Sequence, residues 1–265
     1  MNEKGAFTMS NYRAVAFFDL DGTLLDGQSK ITPEITQAMS QLKKNHVLPV
    51  IATGRTEIEI LDIREQAGIT SNIVMNGSFI RVDGNPVYSS YFTEEECQKM
   101  YDLTTENGHL LSYYNEERIW CTGHNQTLID AYNFIHSDIP PVEPHGFKQH
   151  PVKMLLVLSH SGDEVYHKAF PELTFYRNGP HSIDIVKKGI SKGTGVATLM
   201  DEMNLTDVPT YGFGDGPNDY ALLEACDYKI AMGNAVSELK ELSDFVSKKN
   251  TEGGIVHALK HFDLI

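Results

Sequence analysis

The sequence predicts an α/β fold: a Rossmann-like, doubly wound parallel sheet interrupted by an inserted α+β module. Three observations predict it. Short apolar runs alternate with amphipathic helical stretches at both ends of the chain, the pattern of βαβ units. Between them, from about Pro86 to Lys187, strand-like runs come in pairs with helices between. Polar clusters also recur where the predicted strands stop, which is where open parallel sheets bind ligands.

Taken in order, Val15 to Phe18 reads as the end of a strand buried on both faces, followed at once by Asp19-Leu20-Asp21-Gly22-Thr23. Thr32 before Pro33 is a helix N-cap with proline at the first helical position, and Ile35, Met39 and Leu42 share one face. Val47 to Ala52 is a second buried strand, ending in Thr53-Gly54-Arg55. The next helix carries Ile58, Leu61 and Ile63 and closes near Gly68; Ile73 to Met75 is a third strand, leading into Asn76-Gly77.

In the middle module Thr93 to Asn107 is a helix, and His109 to Tyr114 with Arg118 to Thr122 are two strands joined by a polar turn. Leu128 to Ile135 is helical, Lys153 to Leu158 a strand, and Glu164 to Phe170 a short helix. Leu173 to Arg177 and Ser182 to Val186 form a hairpin around Asn178-Gly179-Pro180. Past Lys187 the βα alternation resumes. Ser191 caps a helix from Lys192 to Met203, and Thr210 to Gly214 is a strand ending at Asp215-Gly216-Pro217-Asn218-Asp219. A helix with Leu222 and Leu223, a strand from Tyr228 to Met232, a helix–strand pair and a last helix from near Gly254 complete the chain. The expected division is a core of residues 1–86 with 188–265 and an insert of residues 87–187.

With 265 residues, 41% of them hydrophobic, the chain has material for one large domain or two modest ones. No apolar run reaches the length of a membrane span, and the opening Met1 to Tyr12 lacks the apolar centre of a secretion signal. Cys97, Cys121 and Cys226 are widely spaced and odd in number, so they read as reduced thiols in a cytoplasmic protein. A net charge of -14 repels nucleic acid and anionic membrane but says little about small metabolites, which a cation or a few placed donors can neutralise.

The chemistry lies at the strand ends. In extended backbone Asp19 and Asp21 point to one side, and an acid closing an apolar run needs compensation. Singly, each fragment has an ordinary explanation: an Asp-Gly turn, a Thr-Gly strand terminator, a solvated lysine. Together, Asp19, Asp21, Thr53, Gly54, Lys192, Asp215, Asn218 and Asp219 converge on one edge of the sheet. Two unit charges at ~4 Å interact by about 4 kcal/mol at an effective dielectric of 20, and Lys192 cancels only one of them. Mg2+ with a substrate phosphate resolves the surplus, and the Thr53 hydroxyl, the Gly54 amide and the Lys192 ammonium are suitable hydrogen-bond donors to the phosphoryl oxygens. A dinucleotide fingerprint fails at Pro217, and a P-loop fails because Lys192 stands between Ser191 and Gly193.

DLDGTLL at 19–25, ATGR at 52–55, Lys192 in GISKGTG and GDGPNDYALLEA at 214–225 resemble the four motifs of haloacid dehalogenase (HAD) superfamily phosphatases. AMGNA at 231–235 and NTEGGIVHAL at 250–259 resemble the Cof-like branch, with the insert placed as a type IIB cap. That resemblance implies a phosphatase of small phosphorylated metabolites such as sugar phosphates. It implies Asp19 as the nucleophile that forms an aspartyl-phosphate, and Asp21 as general acid and then base. Mg2+ would be held by the Asp19 and Asp215 carboxylates and the Asp21 main-chain carbonyl. Thr53, Gly54, Lys192 and Asn218 would grip the phosphoryl group, and Asp219 would orient Lys192 or metal-bound water. Dehalogenation is disfavoured by Asp21; a phosphomutase and a non-catalytic phospho-ligand sensor are the rival readings. Specificity is expected from the cap, with Arg118, Trp120, Tyr176, Asn178 and His181 as candidates.

Overall fold

A computed structural model describes residues 12–177 and 179–265. Among the described residues the helices and strands build two sheets, and no helix is long and apolar enough to cross a membrane.

The first sheet starts with β1 (Ala14–Phe18), buried throughout as its apolar run requires. Thr32 caps α1 (Pro33–Lys44) by accepting from the Ile35 amide, and the chain returns as β2 (Val47–Ala52) beside β1. A one-turn segment, Glu57–Ile60, then precedes α2 (Leu61–Ala67), which ends on Gly68 in the left-handed region. That extra turn shifts the helical phase. Ile60, Ile63 and Ala67 face the core, and the predicted Ile58 and Leu61 are exposed. Next come β3 (Ser71–Val74) and an antiparallel pair the periodicity did not predict, β4 (Phe79–Val82) and β5 (Asn85–Ser89), turning at Asp83-Gly84. Pro86 lies within β5, at the sheet's edge, where its missing N–H is tolerated.

Residues 94–187 supply α3 (Glu94–Glu106), β6 (Leu110–Tyr114), β7 (Ile119–Cys121), α4 (Gln126–Phe134), β8 (Met154–Leu158), α5 (Glu164–Ala169), β9 (Leu173–Tyr176) and β10 (Ser182–Lys187). Their strands form a separate antiparallel sheet in the order β7-β6-β8-β10-β9. The chain then re-enters the first sheet through α6 (Lys192–Glu202), β11 (Thr210–Gly214), α7 (Tyr220–Glu224), β12 (Tyr228–Ala231), α8 (Ser237–Leu242), β13 (Phe245–Val246) and α9 (Gly254–His261). The first sheet runs β13-β12-β11-β1-β2-β3-β4-β5, parallel from β13 to β3. Chain order therefore reverses direction at β1, with β2 on one side and β11 on the other. That is a topological switch point.

Period-two alternation divides the core. Ala14, Ala16 and Phe18 face α1, α2 and α9, while Val15 and Phe17 face α6, α7 and α8. In the second sheet Leu155 and Val157 join Trp120, Tyr166 and the α3 residues Cys97 and Met100. The opposite face, with Tyr114, Met154, Leu156 and the α4 residues Ala131 and Tyr132, belongs to the same apolar cluster as β1 and α1. The antiparallel sheet thus lays one face over the carboxyl ends of the parallel strands.

Candidate active site

Asp19 directly follows β1 and is 6% exposed; its amide donates to the Phe213 carbonyl of β11, pinning it at the switch point. A wide turn follows, in which the Leu25 amide reaches the Leu20 carbonyl at 2.9 Å. Gly22 makes that turn with φ +81, and a Cβ there would lie 2.3 Å from the Asp215 Oδ2. Only glycine fits both demands. Thr23 Oγ1 then donates to Asp215 Oδ1 at 2.9 Å, tying the first strand-end loop to the loop after β11.

Lys192 opens α6 behind its N-cap Ser191, whose hydroxyl accepts from the Thr194 amide. It is fully buried, and its Nζ lies 2.6 Å from Asp19 Oδ1 and 2.7 Å from Asp219 Oδ1. Asp219 Oδ2 accepts from the amides of Asp215 and Gly216, both at 2.9 Å. Both oxygens of Asp219 are therefore engaged by the protein itself. One carboxylate oxygen from each of Asp19, Asp215 and Asp219 falls within 4.8 Å of the others, a group that could hold a metal ion.

Three acids on one ammonium leave surplus negative charge. Burial, reinforced by Asp219 and Asp215, drives the Asp19 carboxyl well above its ordinary range against the pull of Lys192. Burial and Asp219 push Asp215 up to about 6. The Lys192 ammonium is held above its ordinary value, since the charges of Asp19 and Asp219 outweigh its burial.

Of the eight predicted site residues, Asp19, Asp21, Thr53, Gly54, Asp215, Asn218 and Asp219 line one cavity of about 210 Å³, and Lys192 lies beneath its floor. Thr53 ends β2 and is 1% exposed. Asp21 is turned to one side, its two oxygens taken by Arg55 through Nε at 2.7 Å and Nη2 at 2.5 Å. Arg55 Nη2 also donates to the Ile135 carbonyl at the end of α4.

Several residues of the site went unpredicted. Asn76 accepts from Asn218 Nδ2 at 3.0 Å and donates to Asp184 of β10 at 2.9 Å, linking both sheets. It and Met75 adopt positive φ (53° and 50°), strained for side chains that are fully buried. The Asn76-Gly77 pair was the available signal. Asn234 Nδ2 donates to the Gly22 carbonyl and to Asp215 Oδ2. Glu59 reaches the cavity, accepting from the Thr56 amide and from Ser137 Oγ.

Among the described specificity candidates His181 alone lines the cavity; Asn178 lies outside the described residues. Trp120 is fully buried in the far core, and Arg118 lies over its ring, paired with Glu143 and His150. Tyr176 points its hydroxyl at the Ile190 carbonyl instead. Hairpin position alone did not tell which face each side chain takes.

A parallel sheet with an acid cluster at its switch point, roofed by an antiparallel sheet, defines an α/β enzyme working at strand ends. The chain belongs to the haloacid dehalogenase-like hydrolases, whose family profile matches residues 16–259. It is 27% identical over 273 residues to the 5-amino-6-(5-phospho-D-ribitylamino)uracil phosphatase YwtE of Bacillus subtilis, covering 90% of this chain and 94% of that one. Among solved structures it is similar to a hypothetical protein from Geobacillus kaustophilus (TM-score 0.87, 30% identity, 96% of this chain and 100% of that one). A HAD subclass IIB sugar phosphatase aligns with a TM-score of 0.85 at 26% identity, over 96% of this chain and 100% of that one.

Proposed function

We propose that the protein is a cytoplasmic, Mg2+-dependent phosphatase of small phosphomonoesters, sugar phosphates foremost, acting through an aspartyl-phosphate on Asp19. What carries the reading is the buried Lys192 clamped between Asp19 and Asp219 beside Asp215. The donor set fits the metal. Asp219 has both oxygens engaged by Lys192 and backbone amides, whereas Asp19 keeps Oδ2 clear of Lys192 and Asp215 carries an uncompensated charge. Asp19 and Asp215, with the Asp21 carbonyl, would hold Mg2+, a hard cation suited to one or two carboxylates and a phosphate. When bound, Mg2+ neutralises these carboxylates and the phosphoryl oxygens.

Lys192 steadies the Asp19 carboxylate through Oδ1, and that carboxylate attacks phosphorus as the bond to the leaving oxygen breaks. Asp21 gives that oxygen its proton and then takes one from the water that cleaves the aspartyl-phosphate, so phosphate leaves and Asp19 is restored. To do so, Asp21 must free one oxygen from Arg55. The Thr53 hydroxyl, the Gly54 amide, Lys192 and Asn218 orient the phosphoryl oxygens. The similarity to a sugar phosphatase and to a ribitylaminouracil phosphatase supports a phosphorylated metabolite as substrate. Three buried free thiols, two of them pushed up to about 12 by burial, suit a reducing compartment.

The test is release of inorganic phosphate from p-nitrophenyl phosphate with and without Mg2+. Release that stops on chelation and returns with added Mg2+ is the expected result. Undiminished release in excess chelator contradicts the reading, and so does return of the phosphoryl group to a sugar in place of free phosphate.

A further inference from the structure

On the reading that Mg2+ is held by Asp19, Asp215 and the Asp21 carbonyl, we infer that Asn234 is a positioning residue for that ion: its one side-chain amide sets the turn after β1 and the Asp215 carboxylate in register before any cation arrives. The need for such a residue follows from Gly22. That glycine, at φ +81, directly follows the Asp21 carbonyl, and glycine rotates more freely than any other residue. Asn234 Nδ2 donates to the Gly22 carbonyl at 2.8 Å, which pins the peptide on the far side of the glycine. The same Nδ2 reaches Asp215 Oδ2 at 3.3 Å, while Thr23 Oγ1 donates to Oδ1 at 2.9 Å. Both oxygens of Asp215 are thus oriented by neutral donors, which leave its charge and a further lone pair on each oxygen for a cation.

The amide is itself held from a third direction. The Asn250 backbone N–H donates to Asn234 Oδ1 at 3.0 Å. Because that N–H can only donate and the Gly22 carbonyl can only accept, the two ends of the Asn234 amide cannot exchange places. Its partners stand 16, 19 and 212 positions away, so this asparagine does not serve a local turn. The loop that carries it is braced. The Gly233 amide donates to the Lys248 carbonyl at 2.9 Å, and a Cβ on Gly233 would lie 2.6 Å from the Lys249 nitrogen, so the loops after β12 and β13 meet backbone to backbone. The Val236 amide donates to the Asp215 carbonyl at 3.0 Å. Asn250 in turn sends Nδ2 to the Leu25 carbonyl at 2.8 Å, at the far end of the turn after β1. Mg2+ demands near-ideal octahedral geometry, so ligands drawn from two separate loops bind it well only when their register is already fixed.

The experiment is a calorimetric titration of Mg2+ into the wild type, Asn234→Ala and Asn250→Ala, with the thermal midpoint of each protein measured without metal. Asn234 is exposed, so its truncation opens no core cavity and the variant should fold. Asn250→Ala cuts the same clamp at Leu25 but keeps the backbone N–H that holds Asn234, and so controls for loss of tethering in general. Mg2+ affinity should fall at least about tenfold in Asn234→Ala and by less than about threefold in Asn250→Ala, as expected when one variant loses a partner of the metal ligands and the other does not. The Mg2+ concentration for half-maximal hydrolysis of p-nitrophenyl phosphate should rise by the same factors. A merely structural asparagine would lower the metal-free midpoint and leave Mg2+ affinity unchanged. That result, or equal weakening in the two variants, overturns the inference while leaving the metal reading standing. No binding of Mg2+ by the wild type overturns both.

Discussion

Two buried acid clusters lie close together in sequence after the first and second strands, and they are built on opposite principles. Around Glu57, one carboxylate meets two guanidiniums and an amide: Arg81 at 2.7 Å to each oxygen, Arg64 at 3.1 Å and Asn72 at 2.9 Å. Burial works against its ionisation, but those hydrogen bonds and charges outweigh it and hold the Glu57 carboxyl below its ordinary value. Around Asp19, three carboxylates share one ammonium, and both Asp19 and Asp215 are raised. The first cluster is complete within the protein and serves the fold. The second is not: its surplus charge is left uncompensated by the protein, in a group of carboxylates that could hold a metal ion.

That contrast can be broken most severely at Lys192. Lys192→Met keeps the volume but strands Asp19 and Asp219 as buried, unpaired acids, so turnover should vanish and stability should fall by about 3–5 kcal/mol in denaturant unfolding. Asp19→Asn sharpens it from the other side. It removes the proposed nucleophile and one of the crowded charges together, so phosphate release should cease while the thermal midpoint without metal stays level or rises. A destabilised Asp19→Asn protein would mean that Asp19 serves the fold as Glu57 does.

Glu57→Gln should show the reverse pattern: activity largely kept, stability at neutral pH lowered by about 2 kcal/mol, as for losing a charged hydrogen bond. Its pH dependence has a definite sign. The folded Glu57 lies below its unfolded value near 4.5, so the contribution is present above that pH and is lost as pH falls through the folded value. The thermal midpoints of wild type and Glu57→Gln should therefore converge on acidification. The smallest effect belongs to an exposed pair, Lys99 with Glu95 on α3, where Lys99→Ala should leave the thermal midpoint unchanged within error.

What was legible in the sequence follows the same division. Asp19, Thr53, Lys192 and Asp215 sit where a strand stops or a helix begins, so local pattern located them before any contact was known. Asn76, Asn234 and Arg55 were passed over because their partners lie far along the chain; Asn234 reaches Gly22 across 212 positions. The β4–β5 hairpin was missed although Asp83-Gly84 marks its turn, because nearly all of β4 is buried and its apolar pattern does not alternate cleanly. Trp120 looked like a candidate for substrate contact because a hairpin tip has two faces and the alternation does not say which is covered. The cavity wall was the least legible part. Tyr132, Phe134, Met154 and His181 share no motif, and only the packing of one sheet over the other brings them together.

The most direct measurement of the central claim is a calorimetric titration of Mg2+ into the wild-type protein and into Asp215→Asn. One saturable site in the wild type, weakened at least about tenfold by the substitution, is the result that a surplus of buried carboxylates predicts. Identical binding by the two proteins, or none by the wild type at millimolar Mg2+, would contradict it.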